Sequence, residues 1–252
     1  MASRINSYSL PILHNISLKS PNPQFLFHSR SICCAHPPKI SHSSSGGEET
    51  RGGAATPAPA PPSAVFRVRF QTLEACKLGI GRYPDFDYDA KGGCGTARGE
   101  AAEGTSAGDR ALMAAFDVDE LYIPPLTGKT TRFLGLPLPP LLKIDIAPEV
   151  LQGTICRDSG KVELQFRARF WFSIGTIYRA PPLLVETKLT TEESRGSSRS
   201  GAGERMDENG RCRLVGVAAV DTIDDLLMNS FLGLPTECLA DLNAKITVTV
   251  GP

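Results

Sequence analysis

The sequence predicts a mainly β protein, all-β or α+β, built as an antiparallel β-barrel or two-sheet sandwich from two homologous halves, with one short helix near 222–230. Three observations carry that prediction. The segment FRVRF at 66–70 recurs as FRARF at 166–170, and FLGLP at 133–137 recurs at 231–235, in the same order at offsets of 100 and 98 residues. Both FR-x-RF segments alternate as half-buried strands do, with Phe66, Val68 and Phe70 on one face of the first and Phe166, Ala168, Phe170 and Phe172 on one face of the second. Each half offers about four strand candidates, while a single stretch reads as helix. Val118-Asp119 and Lys143-Ile144 flank the first FLGLP as Val220-Asp221 and Lys245-Ile246 flank the second, so the repeats are expected at 66–155 and 166–252.

The chain opens on a segment unlike the rest. Residues 1–47 contain no Asp or Glu, are rich in Ser, and carry Arg4, Lys19, Arg30 and Lys39. That is the composition of an organellar transit peptide, and Pro11, Pro21 and Pro23 break up the helix a mitochondrial presequence would form. A chloroplast transit peptide is therefore expected at 1–34, ending at the small-residue processing site Ile32-Cys33-Cys34-Ala35. The expected location is the chloroplast, in the stroma or peripheral to the thylakoid. Residues 35–62 are dominated by Pro, Gly, Ser and Ala and read as a tether, and a single β domain is expected from 63 to 252.

Within that domain the second strands are expected near 86–90 and 183–191, the third at 111–118 and 212–220, and the fourth at 142–155 and 244–250. The Gly-rich stretches 91–109 and 193–210 are expected as loops. Asp221 or Thr222 is expected to cap the short helix. Closing the two sets of strands would remove the edges that a lone half exposes.

The chemistry is narrowed by subtraction. All four histidines, His14, His28, His36 and His42, precede the domain, which removes Ser-His-Asp and Cys-His catalysis and the commonest zinc and iron sites from it. Cys76, Cys94, Cys156, Cys212 and Cys238 are scattered without a Cys-x-x-Cys pair, so neither metal nor cofactor is expected, and Cys94 is the candidate reactive thiol. Thr127-Gly128-Lys129-Thr130 resembles the end of a phosphate loop but lacks the first glycine, and Asp85, Asp87 and Asp89 lack the later ligands of a calcium loop. Tyr83, Tyr88, Lys91, Tyr122 and Tyr178 leave a histidine-independent enzyme open, with nothing in the sequence arranging them.

Charge gives no prior for nucleic acid: 27 basic residues balance 27 acidic ones, and all four positive charges of 1–47 leave with that segment. Arg67, Arg69, Arg167 and Arg169, with Trp171, form either a strip for anionic headgroups or a solvated strand face paired with Asp85, Asp87 and Asp89. The run 134–142 (LGLPLPPLL) puts five leucines on backbone that its prolines keep irregular. These leucines either plug the ends of the β structure or rim an apolar pocket. The candidate pocket residues are Leu134, Leu136, Leu138, Leu141 and Leu142, joined by Phe231, Leu232 and Leu234 from the second FLGLP. The expectation is a non-catalytic β protein that binds a lipid, pigment or acyl group or associates with the thylakoid surface. The alternative is a structural or assembly protein contacting a plastid partner through its Pro-Leu loops. No apolar run is long enough for a transmembrane helix.

Overall fold

A computed structural model describes residues 65–101 and 111–250. The expected transit peptide and tether lie outside the described residues. Along the chain the elements are β1 (Val65–Thr72), β2 (Cys76–Ile80), β3 (Phe86–Tyr88), β4 (Cys94–Ala101), β5 (Ala111–Phe116), β6 (Thr131–Phe133), β7 (Leu136–Pro137) and β8 (Leu142–Cys156). They continue with β9 (Val162–Ile174), β10 (Tyr178–Arg179), β11 (Leu183–Thr190), β12 (Glu193–Arg195), β13 (Ser200–Ala202), β14 (Arg211–Val220), α1 (Leu226–Leu232) and β15 (Thr236–Val250).

Eight strands close a ring in the order β1-β4-β5-β8-β9-β11-β14-β15, with β15 returning to β1. Every neighbouring pair in the ring is antiparallel. The mainly β, antiparallel barrel with one short helix is thus what the chain forms. The ring's first four strands come from 65–156 and its last four from 162–250. The two FLGLP segments differ locally: the first is the β6–β7 hairpin with Leu134 and Gly135 at its turn, and the second is the end of α1 with Gly233 as its left-handed cap.

Register fixes two ends. At one end lie the N-terminus of β1 and the C-terminus of β15, since Phe66 pairs with Val250. At the other lie α1, the start of β15, the end of β9 and the start of β8, since Leu142 pairs with Ile174 and Val220 with Thr236. Near this second end β1 gives way to β2, which pairs with 238–241 of β15 and starts a flap, β2-β3-β6-β7. Asn243 holds the kink between β1 and β2, its amide donating to the carbonyls of Glu74 and Ala75. Leu126 bridges the segment before β6 to Ile144 of β8, so the flap continues the barrel wall.

The inward face at the terminal end is a solid core. Val68 and Phe70 of β1 meet Ala114 and Phe116 of β5, Leu151 and Ile155 of β8, Leu164 of β9 and Leu214 of β14. Ring centroids of Phe70 and Phe116 lie 5.9 Å apart, edge to face. The alternation expected for 66–70 and 166–172 places Val68, Phe70, Ala168 and Phe172 in the interior.

Four expectations need correction. Residues 94–101 are strand β4 and not loop, because their inward positions are small: a side chain at Gly95 would meet Leu121, and one at Gly99 would meet Val68. Large neighbours fill the space that an apolar alternation would otherwise announce. Within 193–210 the chain forms the β12–β13 hairpin, laid against the outer face of the barrel at Val215 and Leu239. The helix runs 226–232 with Asp225 as its cap, one turn later than expected, and β15 begins eight residues earlier than expected.

Candidate functional site

Above the solid core the barrel is hollow. A cavity of about 190 Å3 occupies the α1 end. Its wall is built from inward positions whose neighbours further down the same strands fill the core: Phe166, Phe170 and Phe172 from β9, Leu183 and Val185 from β11, and Gly216, Ala218 and Val220 from β14. Ile80, Phe86 and Leu126 close the flap side. Met228 and Phe231 of α1 reach in from the top. The wall is hollow at this level because β14 and β15 present Gly216, Ala218 and Ala240 where the lower tier presents Leu214 and Ile246.

Polar groups are few. Thr187 contributes a hydroxyl that already donates to the carbonyl of Val217 at 2.8 Å. Cys238 contributes a thiol that burial pushes up to about 12, so it stays protonated at neutral pH. The lining is almost wholly apolar and presents neither a base nor a nucleophile in its reactive form.

Helix α1 is fastened by a small polar set. Asp225 accepts from the amide of Met228 at 2.9 Å and from the Tyr178 hydroxyl at 2.6 Å. Burial together with Asp225 raises Tyr178 to about 12, while the Tyr178 and Met228 hydrogen bonds hold Asp225 below the usual carboxylate range. The Asn229 side chain bonds the backbone of Ile223 in both directions. Tyr83 donates to the carbonyl of Phe231 at 2.5 Å, tying the flap to the helix.

Two further features bound the site. Along the β11–β14 seam the recorded register is the single pair Thr190–Val215, and the backbone of Val217 is met by side chains, its carbonyl by Thr187 and its amide by Ser194 at 3.0 Å. The hairpin beside that seam is anchored by Glu237. Its carboxylate accepts from the amides of Ser197 (2.7 Å), Ser198 (2.8 Å) and Arg199 (3.0 Å) and from both serine hydroxyls. The Ser197 and Ser198 bonds hold it at about 2. Arg199 then spans to the flap, donating to the carbonyls of Gly81 and Tyr83 and pairing with Asp85 at 2.5 Å.

The residues singled out from sequence divide into groups. Leu138, Leu142, Phe231 and Leu232 line the cavity. Leu134, Leu136 and Leu141 are exposed at the same end, and Leu234 is half-buried without lining the cavity. The four arginines do not form one strip, because β1 and β9 stand on opposite sides of the ring. Arg167 and Arg169 share Glu149 at the β8 bulge, and Arg67 faces Arg98 across β4. Asp85, Asp87 and Asp89 lie in the flap region, away from β1, so the expected charge ladder does not form. Trp171 carries Arg179 over its ring at 4.7 Å.

The tyrosines do not converge on a reactive point. Tyr88 is buried, donates to the carbonyl of Pro124 and is pushed above the usual range by that burial, whereas Tyr122 is exposed. Among the described residues no group of three or more His, Cys, Asp or Glu is placed to hold a metal. The wall residues of β11 and β14 are expected from sequence as strand but not as site, and those of β15 at 238–240 fall before the strand expected at 244–250; the available signal was the run of small residues at inward positions of β14 and β15. No protein-family model matches the chain, and neither the curated proteins nor the solved structures contain a match to it.

Proposed function

We propose that the protein is a non-catalytic carrier that takes an apolar chain into the hollow end of its barrel. The observation that carries this reading is the almost wholly apolar cavity lying directly beside the leucine-rich loops. Its volume of about 190 Å3 narrows the ligand. An engineered cavity of ~150 Å3 takes up benzene, and drug-sized ligands need ~300 Å3 or more. The space therefore suits an acyl segment or a short isoprenoid unit, with any polar end left at the mouth, and is too small for a whole pigment or diacyl lipid. The acid-free segment 1–47 supports a plastid location, in the stroma or at the thylakoid surface, where acyl groups abound.

Native mass spectrometry of the purified chain, before and after organic extraction, tests the reading. A carrier shows a bound mass that extraction removes, and it then takes up N-phenylnaphthylamine with a fluorescence rise that a fatty acid reverses. A chain that carries no extractable mass and leaves the dye dark is not a carrier, and contact with a plastid protein through the Pro-Leu loops becomes the better reading.

A further inference from the structure

We propose that the α1 end is a membrane-docking tip, whose leucine-bearing loops enter the surface of a lipid bilayer around the cavity mouth. The inference builds on the carrier reading by naming the surface that supplies and receives the ligand. It starts from where the exposed apolar side chains are. Of the 13 large hydrophobic residues exposed among the described residues, seven stand at this one end. Leu134, Leu136 and Leu141 belong to the β6–β8 connection, Ile177 to the turn after β9, and Leu226, Leu227 and Phe231 to α1. Ile177 is 85% exposed and Leu226 89%, values that serve no packing within the fold.

These tips are also free of charge. Residues 133–142 (FLGLPLPPLL), 173–178 (SIGTIY) and 226–236 (LLMNSFLGLPT) contain no Asp, Glu, Lys or Arg. Immediately behind them stand Arg82, Arg132 and Arg179, all exposed, and among the described residues none has a carboxylate in ion-pair distance. Arg179 lies over Trp171, the one tryptophan of the chain, about three residues or ~10 Å of strand behind the end of β9. Tyr83 and Tyr178 occupy the same level beneath α1. Apolar tips, then arginine with Trp and Tyr, is the order of chemistries met on passing from acyl chains to headgroups.

The geometry favours a bilayer over a second protein. The apolar side chains come from three separate projecting loops that encircle the mouth, with Phe231 both lining the cavity and facing outward. A rigid partner seated on them would seal the mouth, whereas a bilayer fits itself to separate tips and leaves hydrocarbon at the opening. Asp221 and Asp224 are exposed on the same end, so the collar carries little net charge and the leucines must supply the attachment.

The test is flotation of the full chain with phosphatidylcholine vesicles, and with the same vesicles containing phosphatidylglycerol. The native chain floats with both. Leu134→Asp/Leu227→Asp lowers the bound fraction at least about tenfold, because a carboxylate at bilayer depth is strongly disfavoured, while Met113→Asp on the outer wall leaves it unchanged. A native chain that stays at the bottom with both vesicle types overturns the proposal, as does a tip variant that floats like the native chain. Self-association abolished by the tip substitutions, without vesicle binding, overturns it in favour of a contact between copies. N-phenylnaphthylamine binding in lipid-free buffer separates the two readings: flotation without dye uptake refutes the carrier alone, and dye uptake without flotation refutes the docking tip alone.

Discussion

Filling the cavity should stabilise the protein while disabling it. Ala218 is 3% exposed and lines the hollow end on β14, facing space that Leu214 fills one tier below. At ~24 cal/mol per Å3, an empty space of about 190 Å3 forgoes about 4 to 5 kcal/mol of packing. Ala218→Leu returns three carbons to that space, worth about 2.4 kcal/mol at ~0.8 kcal/mol per buried methylene, less some loss from imperfect fit. A net gain of about 1 to 2 kcal/mol raises Tm by about 2 to 8 °C for a domain of this size. Melting followed by circular dichroism, paired with N-phenylnaphthylamine titration of the same samples, reads both consequences. The variant should melt higher and bind dye at least about tenfold more weakly. A variant that melts lower by the usual overpacking penalty and binds dye as before would refute the reasoning, because the space at Ala218 would then be filled already and the dye site would be elsewhere.

Three further outcomes follow from the geometry. Gly153→Ala should unfold the barrel or destabilise it by about 3 kcal/mol or more in urea titration, since a Cβ there lies 2.1 Å from the Glu163 carbonyl oxygen, backbone against backbone, with no side chain to swing away. Glu237 has a folded-state pKa of about 2 against an ordinary 4.5, so its stabilisation is complete above about 4.5 and is lost as pH falls toward 2. Glu237→Gln should remove that part of the acid slope and leave the parts due to Glu149 and Glu192, which arginines also hold low; identical slopes in the two proteins would contradict the anchor. Burial raises Cys76 to about 11 and Cys212 and Cys238 to about 12, so maleimide at neutral pH should label half-buried Cys94 well before these three, as peptide mapping of the product would reveal.

How far the sequence disclosed the fold depended on which side chains fill the interior. β1 and β9 were legible because Val68, Phe70, Phe170 and Phe172 are large and alternate with Arg. β4 was not, because Gly95, Ala97 and Gly99 face inward and yield their volume to Phe116, Leu121 and Val68, residues remote in sequence. β2, five residues with Cys76, Leu78 and Ile80 in alternation, has no place among the strands expected from sequence, because only three residues separate it from β1. The β12–β13 hairpin is held by Glu237 and Arg199, contacts 38 or more residues distant that no local pattern encodes. The candidate site was half legible. The Pro-Leu runs marked the right end of the barrel, and Leu138, Leu142, Phe231 and Leu232 line the cavity. That the side chains leave a cavity behind them depends on Gly216, Ala218 and Ala240 standing at one level, which only the ring order and register bring about.

The barrel's two tiers divide its labour. Residues that fill the core, such as Val68, Ile155, Leu164 and Leu214, are gathered below, and those that would select a ligand under the proposed carrier function are gathered above. Substitutions at Ala218 or Val185 change the lining of the upper tier, whereas Phe166 lines that tier and also packs against the core below. Under the proposed carrier function, a descendant of this chain has room to change its cargo in small steps while keeping one fold, and a designer has the same freedom.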